Sequence, residues 1–217
     1  MGNNSVIVLC SGGLDSSCLS AYLKLTMDKT IYPIFIDRQQ RAKEGEYNSL
    51  YEVCKFLGIE ENIHTAYYDL ALKDSSIIEK MPEEIISGYI SHPERNLAFV
   101  ILAYGVAANL IITEINIACN KDDDLPDTNK EFFDKANETL NILEYKAELA
   151  LPFSDWSKAE IISWAANEES LGLDFLKLTR SCWQKHERHC GSCIACELRK
   201  MAFKDAGIDD PTDYIYG

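Results

Sequence analysis

Apolar residues recur along this chain in two rhythms, short continuous runs and a helical period, which take turns. Val6-Ile7-Val8-Leu9 is a run of the kind that forms a strand covered on both faces, and Ser17 to Leu25 follows with Leu19, Tyr22 and Leu23 at helical spacing. Thr30 to Ile36 predicts a second strand, closed by Asp37. Lys43 to Leu57 predicts a helix with Tyr47, Leu50, Tyr51, Cys54 and Leu57 on one face and Gly58 as its stop. A third, short strand is read at Ile63 to Tyr68. The stretch 69–94, carrying Pro82, Gly88 and Pro93, keeps no period and is expected to be a flexible excursion on the substrate side. An apolar helix is predicted from Arg95 to Ala108, with Leu97, Val100, Ile101 and Tyr104 as buried candidates, and a β-rich run from Leu110 to Ala118. Thr128 with Glu131 reads as a capping box for a helix over 131–145. Ala150 to Phe153 reads as a short strand, and Ser157 with Glu160 as a second capping box for a helix over 159–167.

Strands alternating with helices predict an α/β fold, a doubly wound parallel sheet of Rossmann-like type. Ligands bind such sheets beyond the carboxyl ends of the strands, where the loop at 11–17, Asp37 and the loop at 119–129 are expected to converge. The first of these, Cys10-Ser11-Gly12-Gly13-Leu14-Asp15-Ser16-Ser17, joins a strand to a helix start. Its glycines let backbone approach an anion, and the N–H groups of the helix N-terminus point at it. Asp15 makes sense beside a phosphate when a divalent cation, Mg²⁺ by preference, stands between them. No lysine follows the glycines and no third glycine stands at the dinucleotide spacing, so the loop is neither of the two commonest phosphate loops.

Length and charge narrow the function further. The chain has 217 residues, 47% of them hydrophobic, enough for one domain with a small appendage. It carries no run long enough to span a bilayer and no leader pattern, so a cytoplasmic protein is expected, without membrane association. A net charge of −14 argues against a nucleic-acid partner, and so against a tRNA-modifying enzyme built on the same loop. Of the eight cysteines, Cys10, Cys18, Cys54 and Cys119 sit in apolar contexts and are read as small core residues. Cys182, Cys190, Cys193 and Cys196 stand at C-x7-C-x2-C-x2-C, a spacing that closes a tetrahedral Zn²⁺ shell with no open position. An iron–sulfur cluster is the rival occupant. His186 and His189 inside that loop are read as neighbours of the site rather than ligands, and His64 and His92 are given no role.

The Ser-Gly-Gly-x-Asp-Ser loop resembles the pyrophosphate loop of the ATP pyrophosphatase (PP-loop) superfamily. With the cysteines in hand, the chain resembles the QueC family of 7-cyano-7-deazaguanine synthases nearly end to end. The likeness takes in Gln40-Arg41 and Glu44, Pro93-x-Arg95-Asn96, Asn120 and Asp123, Pro126-Asp127, Phe132, Pro152, Ser157-Lys158-x-Glu160, Ser181-Cys182-Trp183 and Ala206-Gly207-Ile208-x-Asp210-Pro211-Thr212-x-Tyr214. It implies an adenine-nucleotide alpha hydrolase fold, with a PP-loop domain over 1–178 and a zinc-binding C-terminal region over 179–217 packed on it. It also implies ATP, Mg²⁺ and Zn²⁺ as cofactors, and adenylation of 7-carboxy-7-deazaguanine followed by attack of ammonia. Cys10, Ser11, Gly12, Gly13, Leu14, Asp15, Ser16, Ser17 and Asp37 would bind the nucleotide. Asp15, Ser16, Lys158 and Arg95 would take the catalytic parts, and a homodimer is expected. Asp37 has the simpler alternative of capping the next helix, Lys158 that of a solvated surface lysine, and Arg95 that of pairing with Glu94 or another surface acid.

Two departures bear on the substrate side. Arg38-Gln39 stands where the family has Tyr-Gly, and Thr128-Asn129-Lys130 stands where it has Cys-Arg-Pro, in a loop that is shorter. Loss of that arginine removes a bidentate donor and opens an alternative: a QueC-like antiphage-defence enzyme that passes the activated acyl group to an amine of a protein partner. An inactive nucleotide-binding scaffold is the non-enzymatic alternative, against which the retained Asp15 speaks.

Overall fold

Val6, Ile7 and Val8 are all fully buried, yet they serve two different cores, because successive side chains on a strand point to opposite faces. Val6 and Val8 pack with the helices on one side of the sheet, Ile7 with those on the other. The computed structural model describes residues 4–68, 95–123 and 125–216, so the excursion predicted over 69–94 lies outside the described residues. Five strands, β1 (Ser5–Leu9), β2 (Thr30–Asp37), β3 (His64–Tyr67), β4 (Glu114–Asn116) and β5 (Glu148–Ala150), form one sheet in the order β3-β2-β1-β4-β5. Every pairing in it is parallel. The chain thus runs outward from β1 to β3 and then recommences beside β1 with β4, which leaves a switch point between β1 and β4.

Among the described residues seven α-helices accompany the sheet: α1 (Leu14–Leu25), α2 (Lys43–Leu57), α3 (Arg95–Leu110), α4 (Lys130–Leu140), α5 (Lys158–Asn167), α6 (Gly172–Leu178) and α7 (Ile194–Ala206). α1, α2, α5, α6 and α7 share one core, which includes Leu19, Leu50, Ile161, Phe175 and Phe203. α3 and α4 cover the other face through Ala103, Ala107, Val100, Phe133 and Leu140. No helix among the described residues is long and apolar enough to cross a membrane.

Several boundaries differ from the sequence reading, each for a local reason. α1 starts at Leu14, not Ser17, because Gly13 rather than a serine is its N-cap. α3 runs on to Leu110, and Ile111 then takes a left-handed φ of 57°, so only three residues remain for β4. Leu97 and Ile101 are 42% and 48% exposed on α3, contrary to the expected burial; its buried stripe is Val100, Ala103 and Ala107. The capping box placed at Thr128 is replaced by Asn129, whose Oδ1 accepts from the Phe132 N–H at 2.9 Å, while the Thr128 hydroxyl donates to the Leu125 carbonyl. α4 ends at Leu140 rather than 145, where Lys146 Nζ donates to the carbonyls of Asn141 and Leu143. The following strand is 148–150 rather than 150–153. At Ser157 the predicted capping box is present in full.

Beyond α5 the fold leans on two buried arginines. Arg199 of α7 is 1% exposed. It donates to Thr212 Oγ1 (2.7 Å), Thr179 Oγ1 (2.9 Å), Ser181 Oγ (3.2 Å) and the Leu176 carbonyl (2.9 Å), with Asp210 at 3.6 Å. One planar fork therefore ties the end of α6, the segment before the cysteines and the C-terminal tail to α7. Arg199→Met keeps much of the volume but leaves Asp210 and these acceptors without their donor. It should lower unfolding free energy by about 3 kcal/mol; a urea midpoint unchanged from wild type would show that the fork is dispensable.

Candidate active site and cysteine cluster

The stretch Cys10–Gly13 leaves the end of β1 and is shaped by a single close approach. Gly12 has φ +74°, and a Cβ there would sit 2.5 Å from the Glu46 carbonyl oxygen and from the Leu50 nitrogen of α2. Its carbonyl accepts from Arg180 N–H at 2.8 Å and from the Ser49 hydroxyl at 3.2 Å. Gly13, next along, caps α1 without any side chain on the first N–H groups of the helix, and its own N–H donates to Ser11 Oγ at 3.3 Å. The first turn of α1 therefore offers backbone donors to an anion. Ser16 Oγ donates to the Gly13 carbonyl at 3.3 Å; Ser17 Oγ is buried and finds no partner.

Opposite this turn stands Lys158, the first residue of α5, with Nζ 3.0 Å from Asp15 Oδ2. The Asp15 carboxylate holds the Lys158 ammonium above its ordinary pKa against the effect of burial. Asp15 Oδ1 is buried and has no hydrogen-bond partner. Asp123 lies in the same cleft; burial and the charge of Asp15 raise its carboxyl to about 6, although the Asn120 N–H donates to it at 3.0 Å. The loop bearing Asp123 is tied to α5: Lys158 N–H donates to Asp122 Oδ2 at 2.8 Å, and Lys121 Nζ pairs with Glu160 at 2.8 Å. The start of α5 and the loop after β4 are thus joined, which brings Lys158, Asp123 and Asp15 together.

These groups line one wall of a cleft of about 370 Å³ at the carboxyl ends of β1, β2 and β4, beside the switch point. The other wall carries Arg38, Gln40 and Glu46 from β2 and α2, Arg95, Asn96 and Phe99 from α3, and Trp183. Asn96 Nδ2 donates to the Asp127 carbonyl (2.7 Å) and carboxylate (3.0 Å), and the Arg95 guanidinium lies 3.8 Å from the same carboxylate. Glu46 is deep enough that burial raises its pKa, and it accepts from Gln40 Nε2 at 2.7 Å.

The sequence-predicted residues divide accordingly. Cys10, Ser11, Gly13, Asp15, Ser16, Arg95 and Asp123 border the cleft, and Lys158 reaches its edge through Asp15. Gly12 and Leu14 are buried behind it, Gly12 against α2 and Leu14 in the core. Asp37 does not border it. Its Oδ1 accepts from the Gln39 N–H at 2.8 Å and its Oδ2 meets Lys43 at 3.4 Å, so it caps the turn after β2 and lines a separate shallow depression with Tyr47 and Tyr67. Residues that sequence reasoning gave no role are Arg38, Glu46, Phe99 and Trp183. Arg38 was signalled as a departure from the family pattern and Trp183 as part of its motif, while Glu46 and Phe99 carried no signal beyond their place near the starts of α2 and α3.

The four cysteines of the C-terminal region form a cluster whose Sγ atoms all lie within 4.8 Å of one another, two pairs being 3.5 and 3.9 Å apart. Four thiolates on one Zn²⁺ at ~2.3 Å place their sulfurs about 3.8 Å apart, so the donor set fits a closed tetrahedral site. Backbone N–H groups of Gln184 and Cys190 point at Cys182 Sγ (3.4 and 3.3 Å), and those of Ser192 and Cys193 at Cys190 Sγ (3.5 and 3.3 Å), an environment that favours thiolate. His189 is not among the ligands. Its Nε2 accepts from the Ser181 N–H at 3.0 Å, and burial with the charges of Arg199 and Arg180 lowers its pKa to about 4. His186 is exposed. The loop 183–189 is framed by Arg180, which donates to the carbonyls of Glu187, Gln184 and His186 and lies against α2 where Gly45 leaves room. The cluster and this arginine together set Trp183 against the cleft.

Comparison with known proteins agrees with this arrangement over almost the whole chain. A 7-cyano-7-deazaguanine synthase of Thermoplasma acidophilum is 33% identical, covering 99% of this chain and 93% of its own length. Those of Methanocaldococcus jannaschii (32%, covering 96% and 98%) and Pseudomonas putida (35%, covering 99% and 100%) are similar along their lengths too. The family model described as "Queuosine biosynthesis protein QueC" matches residues 5–207, from the first residue of β1 through the cysteines to the end of α7, and the chain belongs to the QueC family.

Proposed function

We propose that this protein is an ATP-dependent 7-cyano-7-deazaguanine synthase, which activates the carboxylate of 7-carboxy-7-deazaguanine as an adenylate and delivers it to ammonia. The observation that carries the reading is full-length similarity to enzymes of that name, joined to a cleft with an anion-binding turn on one wall and arginines on the other. Adenylation puts negative charge on the α-phosphate and on the departing pyrophosphate. The N–H groups at the start of α1, with the hydroxyls of Ser11 and Ser16, are the donors for that charge. Lys158 neutralises it further, and its pairing with Asp15 keeps it protonated and aimed.

A divalent cation fits the same wall. Asp15 presents a buried oxygen without a partner, and Asp123 is a second carboxylate close enough to feel its charge. These two residues would hold Mg²⁺, which when bound supplies charge neutralisation at the pyrophosphate. Zn²⁺ at the cysteine cluster is assigned a structural role, since four thiolates leave it no open position.

Asp15→Asn should leave the fold intact and reduce carboxylate-dependent pyrophosphate release by about 100-fold or more, because an amide holds Mg²⁺ poorly. Turnover like the parent's in a coupled pyrophosphate assay would move the cation elsewhere.

Asp123 gives a pH signature. Its folded pKa, about 6, exceeds the ordinary ~3.9, so the stability it contributes is complete below pH 4 and is lost as pH rises through 6. In metal-free protein, Asp123→Asn should be more stable than wild type at pH 7.5, by on the order of 2 kcal/mol, and equal to it near pH 4. Paired urea titrations at the two pH values measure this; a constant difference contradicts it. Mg²⁺ should recover the wild-type deficit at pH 7.5 and do less at pH 5.

The purified protein should contain about one zinc per chain and show no iron charge-transfer absorption. Cys193→Ser should lose zinc and folded yield together. Elemental analysis that finds iron, or folded metal-free wild type, would overturn the assignment.

A further inference from the structure

Arg38 occupies an unusual electrostatic position on the substrate wall of the cleft. It follows Asp37 at the end of β2, where its backbone N–H donates to Gln40 Oε1 at 2.9 Å and so holds the turn. Its guanidinium carbon lies over the Phe99 ring at 5.9 Å from the centroid. Among the described residues no carboxylate comes within 4.0 Å of that guanidinium, and no side-chain hydrogen bond is made by it. The nearest opposing charge is Glu46, which is engaged by Gln40 and is itself pushed toward neutrality by burial. The like charge that acts on it is Arg95, on α3 of the same wall. Burial and that neighbour lower the Arg38 guanidinium to about 10, so it is still charged at neutral pH.

Asp127 answers Arg95 and Asn96, and among the described residues no carboxylate pairs with Arg38. A half-buried cation in that state is stabilised by an anion that arrives with the ligand. The phosphates have their own donors at the start of α1 and at Lys158, on the wall formed by β1 and α5. On the β2 and α3 wall the geometry points to a site for the substrate's carboxylate, with Arg38 as its principal donor and Arg95 as the second. Phe99 holds the guanidinium plane, and the guanidinium's paired N–H groups match a planar carboxylate. This rests on the adenylating reading above and deepens it. Before the reaction Arg38 binds the charged acid and orients one oxygen. Once that oxygen has bonded to the α-phosphorus and the bond from that phosphorus to pyrophosphate has broken, the carboxylate charge that Arg38 answered is gone, and a neutral product is held less well.

The test uses Arg38→Gln and Arg38→Lys in the full-length protein. KM for 7-carboxy-7-deazaguanine, from pyrophosphate release, should rise about 10- to 100-fold in Arg38→Gln, with KM for ATP within about twofold of wild type. Arg38→Lys should recover part of the loss, since it restores the charge without the fork. Calorimetry without ATP should show wild type preferring the 7-carboxy over the uncharged 7-carboxamide compound by about tenfold or more, and Arg38→Gln binding the two alike. An unchanged KM for the carboxylate in both variants, a rise in KM for ATP instead, or a wild type indifferent to carboxylate against carboxamide would each overturn the assignment while leaving the synthase reading in place. A wild type that neither binds the carboxylate nor releases pyrophosphate with it would overturn both. Should Arg38→Gln fail to fold, Arg38→Lys and the wild-type calorimetry decide.

Discussion

The contact on which the rest of this structure depends is the approach of the Gly12 backbone to α2. There is no space for a side chain between them, and the φ of +74° is one that L residues seldom take. Because the loop is pressed against α2, its carbonyl at Gly12 is turned toward Ser49 and the Arg180 N–H, and the Gly13 N–H that follows is turned to Ser11 Oγ at the cleft. The same glycine thus fixes the anion-binding turn and anchors the segment that leads to the cysteines. Ser49 reinforces the joint by donating to the Leu178 carbonyl as well.

Charge is sorted across the cleft in spite of the chain's net −14. One wall sets Asp15 and Asp123 around Lys158, a group whose carboxylates want a cation and whose ammonium wants a phosphate. The other sets Arg38 and Arg95 above the buried Glu46. The cationic side chains of the cleft are half-buried, where partial removal from water lengthens the reach of each charge. The overall negative charge therefore says little about which ligand enters.

The C-terminal region is not an independent unit in its packing. Ala202 and Phe203 of α7 join the same core as α1 and α2, and Arg199 is completely enclosed. What the cysteine cluster adds is local. It closes the loop that carries Trp183, while Arg180 supports that loop from the side of Gly45. A metal held by those four thiolates would brace one lip of the cleft from outside the reacting groups.

Much of this was legible in the residues themselves. Continuous apolar runs cannot sit at a sheet edge facing water, so β1 and β2 had to be central, and alternation with helical periods required parallel pairing. Glycine spacing marked the tight turn at 11–14, thiol spacing the cluster of four sulfurs, and Ser157 with Glu160 the start of α5, because each is a local constraint carried by neighbours in sequence. Where two local signals competed, one-dimensional reading chose wrongly: Thr128 and Asn129 both suit an N-cap, and only the seating of Phe133 against Cys119 and Val100 selects Asn129. Asp37 has the right chemistry for a ribose and the wrong neighbour, since Gln39 N–H and Lys43 claim it first. The pairing of Lys158 with Asp15, the mutual repulsion of Arg38 and Arg95, and the raised pKa of Asp123 join residues 57 to 143 positions apart. No local pattern encodes such meetings; they exist because parallel strands deliver all their carboxyl ends to one edge of the sheet, and that convergence is a property of the tertiary structure alone.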